Sequence, residues 1–305
     1  MLLYSWLLLI ICLPAGCQKN SSPTTTQPYR INGRLAIDGL TRTYLLNLPP
    51  GYYIDSTNYA LVIGLHGLGG SALQFERDYA FTQKAGKENF IVVYPEGVAG
   101  SGILALRSWN AGSCCDEAMY RQIDDVKFIS QLITTLTSRY NIDGKRIYIT
   151  GMSNGAMMAY RLACELPDKI AAIAPVSGTL LTTQPCQPGK QVAVLHIHSL
   201  ADTKVPYKGG KGLAGYYFAP VDSGLHVWQV NDICLTAPVQ QVYPTYTITE
   251  WSNQQNKVFV SSYITTDGGH AWPGGLKSTS RADTPSTAFV ATDVIWNFFR
   301  QHRLN

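Results

Sequence analysis

Only 14% of the 305 residues are charged, and no long run of lysine or arginine occurs anywhere. With a formal net charge of just +4, the chain lacks the basic stripe of a nucleic-acid binder, so nucleic acid is not an expected partner. A substrate is expected to be neutral or weakly acidic rather than polyanionic. No apolar stretch reaches the roughly 20 residues that a bilayer-spanning helix requires. There is no C-x-x-C pair and no His/Cys cluster at metal-ligand spacing, so neither a zinc site nor any other metal or cofactor is expected. Internal repeats and interdomain linkers are absent too. Against these absences stands an apolar content of 46%, which indicates a compact globular chain with a full hydrophobic core.

The N-terminus carries the most biased composition. Residues 2–13 are apolar except for Tyr4 and Ser5, and Pro14-Ala15-Gly16-Cys17 follows. That length fits the apolar region of an export signal. The Ala-Gly-Cys ending resembles a bacterial lipoprotein signal, in which Cys17 is lipidated and becomes the mature N-terminus. Two features depart from that pattern: no Lys or Arg precedes the apolar run, and Pro14 stands where leucine is usual. An ordinary cleaved signal peptide is the alternative. Residues 1–17 are therefore read as the signal, 18–29 as a Ser/Thr/Pro-rich tether and 30–305 as a single catalytic domain. The expected location is the outer membrane or cell surface, held by the lipid alone, with secretion or a periplasmic location otherwise. With Cys12 and Cys17 set aside, Cys114, Cys115, Cys164, Cys186 and Cys234 remain, an odd set that leaves at least one free thiol. The adjacent Cys114-Cys115 pair either closes on itself or sends one sulfur to a distant partner, and Cys164 reads as a small buried residue of a core helix.

Along the chain, apolar runs alternate with helix-period segments. Residues 30–37 and 41–48 read as a hairpin across Asp38-Gly39-Leu40. Residues 59–65, 90–94, 146–150, 170–176 and 192–197 read as buried strands, with 246–251 and 258–264 as a last pair. Helices are expected over 73–87, 124–140, 156–162, 225–233 and 287–299, and residues 96–115 read as a glycine-rich loop. Strands alternating with helices imply an α/β fold, a doubly wound and mainly parallel sheet with helices on both faces.

One junction stands out. The strand at 146–150 runs into Gly151-Met152-Ser153-Asn154-Gly155 and then into a helix. With 27 glycines in the chain the pentapeptide alone is weak evidence, and the strand–turn–helix context is what makes Ser153 a candidate nucleophile. Such a serine needs an acid, a base and an oxyanion hole, with the acid and base following in that order on loops after strands. Asp202 lies just past a buried strand, where active-site loops of open α/β sheets gather. His270 sits between Gly268-Gly269 and a Pro-Gly-Gly segment. His66 precedes the serine, while His196, His198, His226 and His302 sit in strands, a helix or the tail. Backbone donors to an oxyanion are expected from Leu68, with Gly67 as the neighbouring possibility, and from Asn154.

Taken together, His66-Gly-Leu-Gly-Gly70, Tyr94-Pro-Glu-Gly97, Trp109-Asn-Ala-Gly112 with Cys114-Cys115, Asp124-Asp-Val126, Gly151-Met-Ser-Asn-Gly155, His196-x-His198 with Asp202, Val205-Pro-Tyr207 and Gly268-Gly-His-Ala-Trp-Pro-Gly274 resemble the secreted polyhydroxybutyrate depolymerase-type esterases. Feruloyl and acetyl xylan esterases of carbohydrate esterase family one are related to these. The resemblance implies an α/β-hydrolase fold and cofactor-free ester hydrolysis, with Ser153, Asp202 and His270 in the triad positions. Ser199 and Lys127 stand where the family usually has glycine. The substrate implied is a feruloyl or acetyl ester on plant cell-wall polysaccharide. A 3-hydroxybutyrate oligomer is the alternative, and a noncatalytic glycan-binding surface protein the distant one. Trp109 and Trp272 read either as an aromatic wall against the substrate or as ordinary packing residues. The sequence leaves the oligomeric state open.

Overall fold

The computed structural model describes residues 28–234, 236–280 and 282–305. The export signal, Cys17 and nearly all of the tether lie outside the described residues. Strands β1 (Arg30–Ile37) and β2 (Leu40–Asn47) form the expected hairpin. Its two-residue turn has positive φ at both Asp38 and Gly39, the turn whose twist matches paired strands. The sheet continues with β3 (Tyr59–Leu65) and β4 (Ile91–Pro95), while β5 (Val98–Ala99) and β6 (Arg107–Ser108) make a small separate hairpin. After these come β7 (Ile142–Met152), β8 (Ala172–Val176), β9 (Ala193–Ser199), a second small hairpin of β10 (Gly210–Lys211) with β11 (Tyr217–Phe218), and finally β12 (Val239–Val242), β13 (Tyr246–Ser252) and β14 (Val258–Thr265).

The ten-stranded sheet has the order β1-β2-β4-β3-β7-β8-β9-β14-β13-β12. Its central strands β4, β3, β7, β8, β9 and β14 run parallel, and the edges are antiparallel. Helices cover both faces because these strands are apolar on both sides: in β3, Leu61, Ile63 and Leu65 face one cluster while Ala60 and Val62 face the other. The first cluster packs under α4 (Asp125–Arg139), α5 (Asn154–Glu165) and α6 (Val221–Asn231). The second packs under α1 (Ala72–Asp78), α2 (Phe81–Glu88) and α7 (Ala291–Phe299). The α/β-hydrolase layout expected from the sequence is the one observed.

Several local expectations need correction. The single helix over 73–87 is two, α1 and α2, because Ala80 takes a left-handed conformation between them. The loop over 96–115 contains the β5–β6 hairpin, and a short helix, α3 (Asp116–Tyr120), follows it. The polar edge strand β12 has no apolar alternation and was not foreseen. Cys164 is no mere space-filler: it closes a disulfide with Cys186 and ties the end of α5 to the loop after β8. Cys114 and Cys115 are joined to each other, and Cys234 is buried and has no disulfide partner among the described residues.

Asp232, just past α6, is fully buried. Its Oδ1 accepts from Val192 N–H and from the Asn231 amide, and its Oδ2 has no partner among the described residues. Burial pushes its carboxyl up to about 7. Between the ordinary carboxylate value near 4 and this raised value, the unfolded chain gives up a proton that the folded chain keeps. Stability therefore falls as pH rises through that window. Asp232→Asn retains the Oδ1 acceptor and removes the titration. Its stability relative to the parent should improve by about 4 kcal/mol between pH 4 and pH 8. Urea denaturation at the two pH values measures this directly, and a pH-independent difference would contradict it.

Candidate active site

Ser153 stands between β7 and α5 with φ +57° and ψ −118°, a turn sharp enough to lift the side chain off the sheet edge. The flanking glycines are required by contact. A Cβ on Gly151 would lie 2.4 Å from Gly155 O, and one on Gly155 would lie 2.2 Å from Leu65 O. The pentapeptide is thus a packing solution that brings β7, α5 and β3 together at one point.

The structure brings together the three residues expected to cooperate. His270 Nε2 is 2.8 Å from Ser153 Oγ, and His270 Nδ1 is 2.7 Å from Asp202 Oδ2. The other carboxylate oxygen, Oδ1, accepts the backbone N–H of Lys204 at 2.9 Å and of Val205 at 2.8 Å. Burial disfavours the charge on Asp202. The hydrogen bond from His270, the attraction to its imidazole and the Val205 amide outweigh burial and hold the carboxyl below its ordinary value. The acid is ionised and fixed at both oxygens. His270 N–H donates to Asp283 Oδ2, which also lies 3.4 Å from Lys204 Nζ. Asp283 thus braces the histidine loop. It was missed in the sequence because it lies in a loop with no flanking pattern. The Ser199 hydroxyl, where the family pattern has glycine, donates to Asp267 O and links the acid loop to the histidine loop.

Beside the serine, the glycine-rich loop is held by His66. Its Nδ1–H donates to Gly67 O and its Nε2 accepts from Gly97 N–H, with burial lowering its pKa to about 4. Gly70 N–H also donates to Gly67 O. In a trans peptide the next N–H points opposite to that anchored carbonyl. Among the described residues, neither Leu68 N–H nor Asn154 N–H has an acceptor.

Trp109 departs from the expectation of a substrate wall. It is completely buried, its indole N–H donates to His66 O, and its backbone is bracketed by the Asn154 side chain through both N–H and C=O. It supports the loop from within the core. Trp272 lines the cleft but is only 2% exposed, stacked on Tyr79 at 4.5 Å with its indole N–H donated to Thr292. It offers a substrate little area. Asp124 caps α4 through Lys127 N–H, and the buried Asp125 binds the Arg42 guanidinium at 2.7 Å and Asn110 N–H at 2.8 Å. Asp125 therefore anchors the Trp109 loop to β2, while Asp124 starts the helix.

Ser153 and His270 open onto a cleft of about 570 Å³, within the size range of small-molecule sites. Its walls are mixed: Gln74, Arg77, Lys204 and Asp283 face Tyr79, Leu213 and Leu276. A water-accessible serine hydrogen-bonded to an imidazole, itself bonded to an ionised carboxylate, is an arrangement able to attack an acyl carbon.

Among known proteins, residues 42–188 match the family model described as Esterase PHB depolymerase. Feruloyl esterase B of Piromyces equi is 29% identical over 238 residues, covering 75% of this chain and 42% of that protein. The probable feruloyl esterase C of Aspergillus terreus is 28% identical over 287 residues, covering 93% of this chain and 90% of the relative. The chain thus spans less than half of the Piromyces protein and nearly all of the Aspergillus one. An acetyl xylan esterase from Aspergillus awamori has the same fold, with a TM-score of 0.63 at 16% identity over 88% of this chain and 99% of that one. Residues 42–188 thus match the PHB depolymerase-type esterase family model, and esterase relatives align along most of the chain's length.

Proposed function

We propose that the protein is an exported serine esterase that cleaves feruloyl or acetyl esters on plant cell-wall polysaccharide. The observation that carries the reading is the unbroken relay from Ser153 Oγ through His270 to Asp202 at the mouth of the cleft. His270 Nε2 takes the proton as Oγ attacks the ester carbonyl, and Leu68 N–H and Asn154 N–H receive the oxyanion. The imidazolium then protonates the departing alcohol, leaving an acyl-enzyme. Water attacks that ester with His270 again as base, which frees the acid and restores Ser153. Asp202 holds the Nδ1–H tautomer and balances the imidazolium charge. The relatives named as feruloyl esterases favour the aromatic acid, and the cleft has room for more than an acetyl group. The apolar residues 2–13 and the Cys164–Cys186 bridge favour export, since disulfides persist in oxidising compartments. Cys17 is the proposed anchor, and the membrane is reached through that lipid only.

The family description favours a second reading, hydrolysis of 3-hydroxybutyrate oligomers. Methyl ferulate, acetylated xylo-oligosaccharide and 3-hydroxybutyrate oligomers assayed side by side separate the two. The expected result is a kcat/KM for methyl ferulate or the acetylated oligosaccharide at least tenfold above that for the oligomers, about 1.4 kcal/mol of discrimination. The reverse order favours the polyester. Inertness towards all three, with no labelling by a serine-directed phosphonate, would leave a noncatalytic binding protein.

A further inference from the structure

Behind Asp202 lies a set of buried polar side chains that ester hydrolysis by the triad does not use. His196 and His198 are two apart on β9 and so share one face of the strand. His198 Nε2 is 2.8 Å from Val205 O and 3.5 Å from Asp202 Oδ2. Its Nδ1 is 3.1 Å from His196 Nε2, and His196 Nδ1 is 2.8 Å from the Tyr160 hydroxyl. The carbonyl at one end decides every proton. Val205 O only accepts, so His198 carries its proton on Nε2 and accepts at Nδ1. His196 must then donate from Nε2 and accept at Nδ1, which leaves Tyr160 O–H as the donor at the far end. Burial lowers the pKa of both histidines, so both rings are neutral.

The hydrogen bonds therefore run one way, from α5, the helix that begins beside the nucleophile, to the acid loop. Val205 is where they arrive. Its carbonyl receives the His198 proton while its own N–H donates to Asp202 Oδ1. Strand positions Ala193, Val194, Leu195 and Ile197 around them are apolar and fully buried. Two imidazoles and a phenol among them carry a desolvation cost that aliphatic side chains would avoid. Full satisfaction of each heteroatom makes the arrangement tolerable and rigid.

We propose that Tyr160, His196 and His198 are positioning residues, a directional hydrogen-bond relay that clamps Val205 and so aims the Asp202 carboxylate at His270. None of the three touches the cleft. The inference rests on the serine-esterase reading, and the test separates the two. Active sites are first titrated with a serine-directed phosphonate, so that kcat towards p-nitrophenyl acetate is expressed per reactive Ser153. The low-field proton resonance of His270 Nδ1–H, bonded to Asp202, reports the aim of the carboxylate directly. His198→Leu is expected to lower kcat by about 10- to 100-fold, the scale of a misplaced catalytic group, with KM unchanged and the resonance displaced. His198→Gln, whose amide can still donate to Val205 O, should recover most of that loss. Tyr160→Phe removes only the first donor and should shift the same resonance with little loss of thermal stability, which keeps the test open if His198→Leu fails to fold. A resonance unmoved in the folded variants, or a His198→Leu enzyme with parental kcat per titrated site, overturns the relay. If the parent protein is not labelled by the phosphonate, the serine-esterase reading falls and the relay with it.

Discussion

Ser153→Ala is expected to reduce kcat towards p-nitrophenyl acetate by about 10⁶-fold, since a triad that loses its nucleophile retains only the oxyanion hole and substrate binding. Among the described residues the side chain has one hydrogen-bond partner, His270 Nε2, and its loss leaves that nitrogen facing the cleft, where water replaces it. The backbone cost should be small. Serine already sits at φ +57°, and alanine bears the same Cβ in the same strained turn. Ser153 N–H keeps its bond to Val176 O, and Met157 N–H keeps its bond to Ser153 O. The melting temperature and circular dichroism should therefore match the parent while esterase activity and phosphonate labelling disappear together. A Ser153→Ala protein that still hydrolyses p-nitrophenyl acetate at a comparable rate would show that another group performs the attack.

The candidate triad was legible in the sequence because each proposed member lies where local patterning is strong. Ser153 follows an apolar strand and precedes a helix, Asp202 ends another apolar strand, and His270 is bracketed by glycines. The strands themselves were legible for the same reason: β1 and β3 match their expected bounds, since buried parallel strands are apolar throughout and the first hairpin carries its own turn signal. What was hidden depends on long-range contact. Trp109 in its glycine-rich loop reads as well as a substrate wall as it does as a packing residue, and its burial, with Asn154 from 45 positions away gripping both its backbone groups, shows that it is core. The His196-x-His198 spacing was visible, and two histidines on one face of a buried strand signal a shared polar contact. Their partners Tyr160 and Val205 belong to other segments, so the chain they form appears only in three dimensions. The break between α1 and α2 was likewise invisible, because alanine favours helix, yet Ala80 adopts a left-handed conformation.

Asp202→Asn should leave the shape of the site unchanged and still cost about 10⁴-fold in kcat, because it reverses the protons on His270. The direction follows from the two oxygens. Oδ1 accepts two backbone N–H groups, from Lys204 and Val205, so in the variant the amide oxygen must occupy that position and the NH₂ must take the place of Oδ2. There it faces His270 Nδ1 at 2.7 Å and His198 Nε2 at 3.5 Å. Two N–H donors cannot share that contact. His270 avoids the clash by moving its proton to Nε2 and accepting at Nδ1, and the nitrogen that should take the Ser153 proton is then already protonated. The amide cannot flip without setting its NH₂ against the two backbone N–H groups that now bond Oδ1. The loss should fall on kcat, with KM nearly unchanged, because the cleft walls are untouched. A low-field His270 Nδ1–H resonance present in the parent should vanish in the variant. Parental kcat in Asp202→Asn, or persistence of that resonance, would mean that the carboxylate does not set the tautomer on which the proposed reaction depends.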